Sequence, residues 1–200
     1  MSKITILVKI CLLLSLIFAV GCGSHRGTVE TNYRYDVNTS KSIFEDKDIL
    51  IKIEPLSTEA LLLLSDNNLK NSFNGFILTI ENKTPHELIL DWNKTYFLDN
   101  GQAKGGFMFE EVSYSKRNEP KQPLLVLPKS KRAIEIYPNI NVYMKVLPYQ
   151  NKYYTGGSFL QCKPMSGGSY GLYATVNIKN KESKINITMD ISPPIPSEVR

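Results

Sequence analysis

The sequence contains few of the residues that most often build metal sites, disulfide frameworks and nucleophilic active sites. Its 200 residues include three cysteines and two histidines, His25 and His86. Cys11 and Cys22 both lie near the N-terminus, so Cys162 has no cysteine partner in the remainder of the chain. We therefore expect no disulfide framework, no metal site and no haem attachment, since each needs clustered cysteine or histidine.

The short motifs that mark common enzymes are absent as well. There is no Gly-x-Ser-x-Gly elbow, no His-Glu-x-x-His pair and no Walker A loop. Cys162 with His86 as its base is a conceivable nucleophilic pair, but no local cysteine-hydrolase signature surrounds Cys162. We interpret Cys162 as an inert thiol and expect a protein with neither enzymatic activity nor a cofactor. A hydrolase whose site is assembled from residues distant in sequence is the alternative.

The N-terminal apolar run is too short to span a bilayer, which takes about 20 residues. It comprises the 11 residues Ile10–Val20 and follows the basic residues Lys3 and Lys9. Residues 19–22 then read Ala-Val-Gly-Cys. This arrangement resembles the lipobox of bacterial lipoprotein signal peptides, with Ala19 in the place where leucine is usual.

The resemblance implies that a diacylglyceryl group is attached to Cys22, that the leader 1–21 is removed, and that the new amino terminus is acylated, for example with palmitate. Two or three acyl chains hold a protein durably on a membrane, whereas one chain does so only marginally. Gly23, where aspartate would retain the protein at the inner membrane, implies an outer-membrane destination if the host has one. A secretory signal cut elsewhere and an uncleaved apolar anchor remain as alternatives.

The charge balance of the chain argues against nucleic acid as a partner. Removal of the leader takes away Lys3 and Lys9, which lowers the formal net charge from +5 to +3. So mild a charge permits only weak attraction to anionic surfaces. The expected partners are the membrane, through the lipid on Cys22, and an envelope protein or polysaccharide.

Strict alternation of apolar and polar residues predicts β-strands with one buried and one wet face. The clearest runs are 172–179 and 185–192, which the polar loop 180–183 would join as a hairpin. A similar pair, 76–81 and 87–92, flanks a turn that contains Pro85. Further strand candidates are Ile49–Ile53, Thr95–Leu98, Phe107–Tyr114, Leu124–Leu127, Arg132–Tyr137 and Val142–Leu147.

This pattern favours an all-β fold, an antiparallel immunoglobulin-like β-sandwich with Trp92 as its central core aromatic. The predicted organisation is a signal peptide at 1–21, a lipidated N-terminus and flexible tether at 22–42, the sandwich at 43–192, and a Pro-rich tail at 193–200. The tail is expected to be extended and not to continue a paired strand, because proline has no amide donor. Residues 57–64 are ambiguous, since a capped short helix and a strand both fit them.

Part of the sandwich is similar to small bacterial lipoproteins that carry one such domain. The resemblance covers residues 73–140 and implies a fold and a location in the cell envelope but no reaction. The segments that carry it are Asn82-Lys83-Thr84, Leu90-Asp91-Trp92-Asn93, Leu98-Asp99-Asn100-Gly101, Leu127-Pro128-Lys129-Ser130 and Ile136-Tyr137-Pro138.

Two segments are candidates for binding a partner. The first is a glycine-rich stretch in which aromatic side chains offer broad contact area at low entropic cost. Its residues are Tyr149, Tyr153, Tyr154, Phe159 and Tyr170, with Tyr173 nearby. The second is a basic region that could face anionic lipid or cell-wall polymer; it contains Lys116, Arg117, Lys121, Lys129, Lys131 and Arg132. For both segments, ordinary surface or covering structure is the alternative interpretation.

The acidic pairs do not predict catalysis. Glu110 and Glu111 would point to opposite faces of the predicted strand and so cannot form one carboxylate dyad. Two further pairs, Asp46 with Asp48 and Asp91 with Asp99, lack calcium-loop spacing. The sequence therefore predicts a lipid-anchored, non-enzymatic envelope protein that binds or scaffolds another component.

Overall fold

A computed structural model describes residues 33–34, 36–57, 73–146, 158–165, 167–193 and 195–196, all within one compact unit, Thr31–Arg200. These residues contain sixteen strands and no α-helix. In chain order the strands are β1 (Tyr33–Arg34), β2 (Val37–Asn38), β3 (Ile43–Glu45), β4 (Ile49–Ser57), β5 (Phe73–Asn82), β6 (Leu88–Leu90), β7 (Tyr96–Asp99), β8 (Gln102–Ala103), β9 (Phe107–Met108), β10 (Leu124–Val126), β11 (Lys131–Pro138), β12 (Val142–Val146), β13 (Ser158–Cys162), β14 (Gly168–Ile178), β15 (Lys181–Ile191) and β16 (Ile195–Pro196).

Two antiparallel sheets form the sandwich. The five-stranded sheet has the order β3-β4-β5-β11-β9. The seven-stranded sheet has the order β10-β6-β14-β15-β2, and β7 pairs with both β14 and β8. Two separate ribbons, β1 with β16 and β12 with β13, complete the pairing among the described strands. The predicted all-β antiparallel sandwich is therefore confirmed.

The core lies between the two sheets and follows the predicted alternation. In the five-stranded sheet the buried apolar side chains of β5 are those of Phe76, Leu78 and Ile80, none more than 1% exposed. The seven-stranded sheet contributes the inward residues of the β14–β15 hairpin, among them Leu172 and Ile187. Removing this much apolar surface from water is the main favourable term in folding.

Trp92 is buried, as predicted, but it is not at the centre of a strand. It begins a short 3-10 turn, Trp92–Lys94, between β6 and β7. The Asp91 carboxylate caps this turn by accepting a hydrogen bond from the Asn93 amide at 3.0 Å. The indole stacks on the ring of Phe109, with 4.7 Å between ring centroids. Trp92 therefore packs against a loop that follows β9.

Two predicted boundaries were wrong inside the sandwich. The strand predicted at Phe107–Tyr114 ends at Met108, and Glu110 and Glu111 lie in a turn. The turn is closed by the Val112 amide, which donates to the Phe109 carbonyl at 2.9 Å. The β14–β15 hairpin is tighter than predicted, because only Lys179 and Asn180, both at positive φ, connect its strands. Two central residues at positive φ match the twist of antiparallel strands.

The sheets also extend beyond the predicted limits of 43–192. Val37 and Asn38, which fall in the predicted tether, pair with the end of β15. The Asp36 amide donates to the Ser192 hydroxyl at 2.8 Å. The expectation that the Pro-rich tail does not pair is wrong for Ile195–Pro196, since β16 pairs with β1; a proline that cannot donate can still lie in a short edge ribbon. Ser57 closes β4, and the rest of the ambiguous segment 57–64 lies outside the described residues.

A buried side-chain amide fixes where β10 lies. Asn82, fully buried at the end of β5, directs its Nδ2 at the carbonyl oxygens of His86 (2.6 Å), Val126 (3.2 Å) and Leu127 (3.1 Å). Its Oδ1 accepts from the amide and the hydroxyl of Thr84. One residue of the five-stranded sheet thus positions the β5–β6 turn and β10 of the other sheet.

We predict that Asn82→Ala lowers the free energy of unfolding by about 3 kcal/mol or more, because several buried groups lose their partner together. Urea unfolding of this variant measures the change. Asn186→Ala, on the wet face of β15, is the matched control and should change stability by less than about 0.5 kcal/mol. Equal losses for the two variants would show that the Asn82 amide does not hold β10 in place.

Candidate binding groove

A groove of about 760 Å³ runs along the side of the sandwich between β10, the last strand of one sheet, and the part of β11 that β9 does not cover in the other. It contains residues from the 3-10 turn after β6, from the loop between β9 and β10, and from β11. Its lining comprises Trp92, Phe109, Glu110, Glu111, Gln122, Pro123, Leu124, Arg132, Ala133, Ile134, Glu135 and Tyr137. A second concavity of about 460 Å³ shares Phe109, Glu111 and Gln122 with it. The volume is that of a site for a small molecule or a short peptide.

The groove exists because β9 is only two residues long. β11 pairs with β5 from Lys131 to Ile136, but β9 covers it only at Tyr137 and Pro138. After Met108 the chain turns away from the sheet, and the Phe109 ring stacks on Trp92 instead of continuing the ladder. Among the described residues, no strand therefore neighbours the stretch from Lys131 to Glu135 on this side of the sheet.

The hydrogen-bonding pattern shows which backbone groups face the groove. The Asn82 amide donates to the Ser130 carbonyl in the same register that pairs β5 with β11, so even-numbered residues of β11 face β5. On the other side, the Asn139 amide donates to the Gly106 carbonyl, so odd-numbered residues face β9. Ala133 and Glu135 therefore direct their N–H and C=O away from β5, and no described backbone group pairs with them.

An apolar wall lies opposite this edge. Its centre is the Trp92–Phe109 stack, in which the ring planes are inclined by 29°. Leu124 of β10 and Ile134 of β11 adjoin it. A hydrogen bond between residues on either side of Trp92 fixes the turn that carries it: the Thr95 hydroxyl donates to the Asp91 carbonyl at 2.7 Å. A stacked aromatic pair beside open backbone groups offers apolar and hydrogen-bonding contacts to a ligand.

Carboxylates predominate among the charges of the groove. Glu110, Glu111 and Glu135 line it together with one cation, Arg132. The Arg132 guanidinium lies 3.6 Å from Glu111 and donates across the gap to the Leu125 carbonyl at 3.5 Å. Glu135 accepts from the Tyr137 hydroxyl at 2.9 Å. Burial and this bond raise the pKa of the Tyr137 hydroxyl, so it remains a neutral donor.

The predicted basic region is divided between two places. Lys116, Arg117 and Lys121 lie in the loop beside the groove, where the Lys121 ammonium donates to the Arg117 carbonyl at 2.8 Å. Burial lowers the pKa of Lys121. Lys129, whose ammonium donates to the Lys83 carbonyl, lies in the turn before β11, and Lys131 and Arg132 begin that strand. Part of the predicted cationic surface is thus engaged within the molecule.

Most of the predicted aromatic binding loop lies outside the described residues. Tyr149, Tyr153 and Tyr154 lie outside the described residues, and for Phe159 only the backbone, in β13, is described. Tyr170 does not lie in a loop. It belongs to β14 and stacks on the core residue Phe97 with 6.2 Å between centroids, because the strand begins earlier than the sequence pattern indicates.

Cys162 and His86 occupy different environments. Cys162 is a half-buried free thiol paired with Val142 in the β12–β13 ribbon, whereas His86 is exposed in the β5–β6 turn. Burial raises the pKa of the Cys162 thiol to about 11. Because the thiolate is the nucleophile, this environment suppresses the reactivity of Cys162.

Three aspartates of the acidic pairs, Asp46, Asp91 and Asp99, accept hydrogen bonds from neighbouring residues of the chain. Asp46 accepts from the amides of Asp48 and Ile49, both at 2.8 Å, and so caps the β3–β4 turn. Asp99 accepts from the Asn100 side chain at 2.9 Å. No cluster of three or more metal-ligating side chains occurs in the part of the chain that the structure describes. The same part has no helix with the length and apolar character to cross a membrane.

We predict that iodoacetamide alkylates Cys162 about a hundredfold more slowly at about pH 8 in the folded protein than in urea, because a pKa near 11 leaves little thiolate. Mass spectrometry of the peptide that contains Cys162 gives the rate without interference from Cys22. The rate should keep rising with pH up to about 11. A plateau near pH 8.5, the value for an ordinary thiol, would contradict the burial argument.

Comparison with known proteins adds no relative from which a role can be transferred. The chain matches no protein-family model, no curated protein and no solved structure.

Proposed function

We propose that this protein is a lipid-anchored component of a bacterial cell envelope, and that its sandwich binds another envelope component without catalysing a reaction. The groove between β10 and β11 carries the proposal, because it combines an apolar wall with unpaired backbone groups and a charged rim. Binding sites in proteins are commonly concave and apolar with a few directed polar groups.

The anchor in this proposal rests on the sequence of residues 1–22. The basic start, the 11-residue apolar run and the Ala-Val-Gly-Cys sequence are what a lipoprotein signal peptide requires. Lipid on Cys22 would hold the sandwich beside a membrane, where a binding groove meets envelope partners at high effective concentration. Gly23 favours the outer membrane if the host has one.

An immunoglobulin-like connection of the strands belongs to the same proposal. Immunoglobulin domains place strands A, B, E and D in one sheet and C, F and G in the other. The order β4-β5-β11-β9 supports the first sheet of that scheme, and β6 and β7 beside the β14–β15 hairpin support the second. In this scheme the β12–β13 ribbon is an insertion between strands E and F.

Replacing Cys22 tests the anchor. We predict that Cys22→Ser moves the protein from the membrane fraction to the soluble fraction of its host, because serine cannot form the thioether. Mass spectrometry of the wild-type N-terminus should show a modified Cys22 as residue one. A wild-type protein with unmodified Cys22 would contradict the lipid anchor but would not bear on the proposed function of the groove.

Photo-crosslinking in the host tests the groove. We predict that benzoylphenylalanine at Glu110, exposed on the groove rim, forms a crosslink to another envelope component on illumination. The same group at Asn186, exposed on β15, is the matched control and should give none. Absence of a crosslink at Glu110, or equal crosslinks at both positions, would contradict a binding function for the groove.

A further inference from the structure

We propose that the open edge of β11 binds an extended segment of a partner protein by strand addition, and that this segment carries lysine or arginine between apolar residues. The inference rests on the binding function proposed above and specifies its partner. It assigns the polar contacts to Ala133 and Glu135 and the apolar contacts to the wall around Trp92.

The backbone geometry favours a polypeptide over other ligands. Ala133 and Glu135 each present an N–H and a C=O toward the groove, two residues apart along the strand. Successive outward groups of a strand therefore recur about every 6.8 Å, which is the repeat of another strand. A peptide that adds to a sheet edge satisfies such groups through its own main chain. A polysaccharide has no main-chain amides with which to continue the ladder of a sheet.

The edge is accessible, which is unusual for a sheet of this kind. Proteins protect free edges with short strands, charged side chains or covering loops. β3, at the other edge of the same sheet, has only three residues, and the Arg132 side chain reaches the outer edge of β10 at Leu125. On β11 the residue at the middle of the open stretch is Ala133, exposed and too small to cover the backbone.

The charged side chains of the groove favour a partner segment that contains lysine or arginine. Glu110, Glu111 and Glu135 face the groove, and Arg132 offsets only part of their charge. Among the described residues Glu110 forms no ion pair. A strand with alternating side chains would place apolar groups against the partly exposed Phe109 and Ile134, beside the buried Trp92, and cations near these carboxylates. The electrostatic contribution of the carboxylates to binding should weaken as salt concentration rises, because these carboxylates are exposed.

Trp92 is the only tryptophan of the chain and lines the groove, so its fluorescence reports occupancy. The probe is a blocked octapeptide of alternating valine and lysine, titrated into the full lipidated protein in detergent. We expect a saturable change in Trp92 emission. A valine–glutamate octapeptide and a valine–lysine octapeptide with alternate N-methylated amides are the control probes, and neither should bind.

Ala133→Pro is the decisive variant, because it removes the outward N–H without touching the bonds to β5. It should weaken binding of the valine–lysine peptide at least tenfold, by loss of the donor and by crowding of the edge. Ala133→Thr keeps the donor and should bind as the wild type does. Glu110→Gln should weaken binding by a smaller factor, about threefold, that disappears at high salt.

Each other outcome overturns the proposal. No saturable change with the valine–lysine peptide, equal binding of the N-methylated peptide, or full binding by Ala133→Pro would exclude strand addition. A dimer of the free protein that Ala133→Pro dissociates would assign the edge to a second copy of the chain. If strand addition fails while benzoylphenylalanine at Glu110 still crosslinks an envelope component, the groove keeps its proposed function with a different kind of partner.

Discussion

The arrangement of the sandwich edge depends on one buried amide, that of Asn82. Its Nδ2 approaches three carbonyl oxygens within 3.2 Å, and two of these, Val126 and Leu127, belong to β10 or follow it directly. An unpaired polar group would be costly in this fully buried position, so the five-stranded sheet and β10 are held in one relative position. Because β10 forms one side of the groove, the distance between the groove's two sides depends on this residue.

The other side of the groove is formed by β11, beyond the point where its pairing with β9 stops. β9 covers two residues of β11, and the chain then leaves the sheet so that Phe109 can stack on Trp92. The same departure creates the apolar wall and exposes the backbone of Ala133 and Glu135. A compact core and an open edge thus arise together, with the stability supplied by side chains buried elsewhere, such as Phe76 and Leu172.

Much of the fold was predictable because period-two alternation is a direct consequence of strand geometry. The β14–β15 hairpin and the buried face of β5 followed from that rule alone. The groove was not predictable, since it depends on the end of β9, and Phe107 to Tyr114 reads as a continuous strand. No sequence pattern marks Ala133, because its proposed role depends on the absence of a described strand beside its outward backbone groups. The pairing of Val37 with Ile191 and that of Ile195 with Arg34 were not predictable, because strands of two residues are fixed by tertiary contacts.

Amide hydrogen exchange of the free protein, followed residue by residue by NMR, tests the central claim most directly. The amides of Ile134 and Ile136 face β5 and should exchange slowly, whereas those of Ala133 and Glu135 face the groove and should exchange almost as fast as unprotected amides. Slow exchange at all four positions would mean that the edge is already covered, and the binding groove described here would not exist.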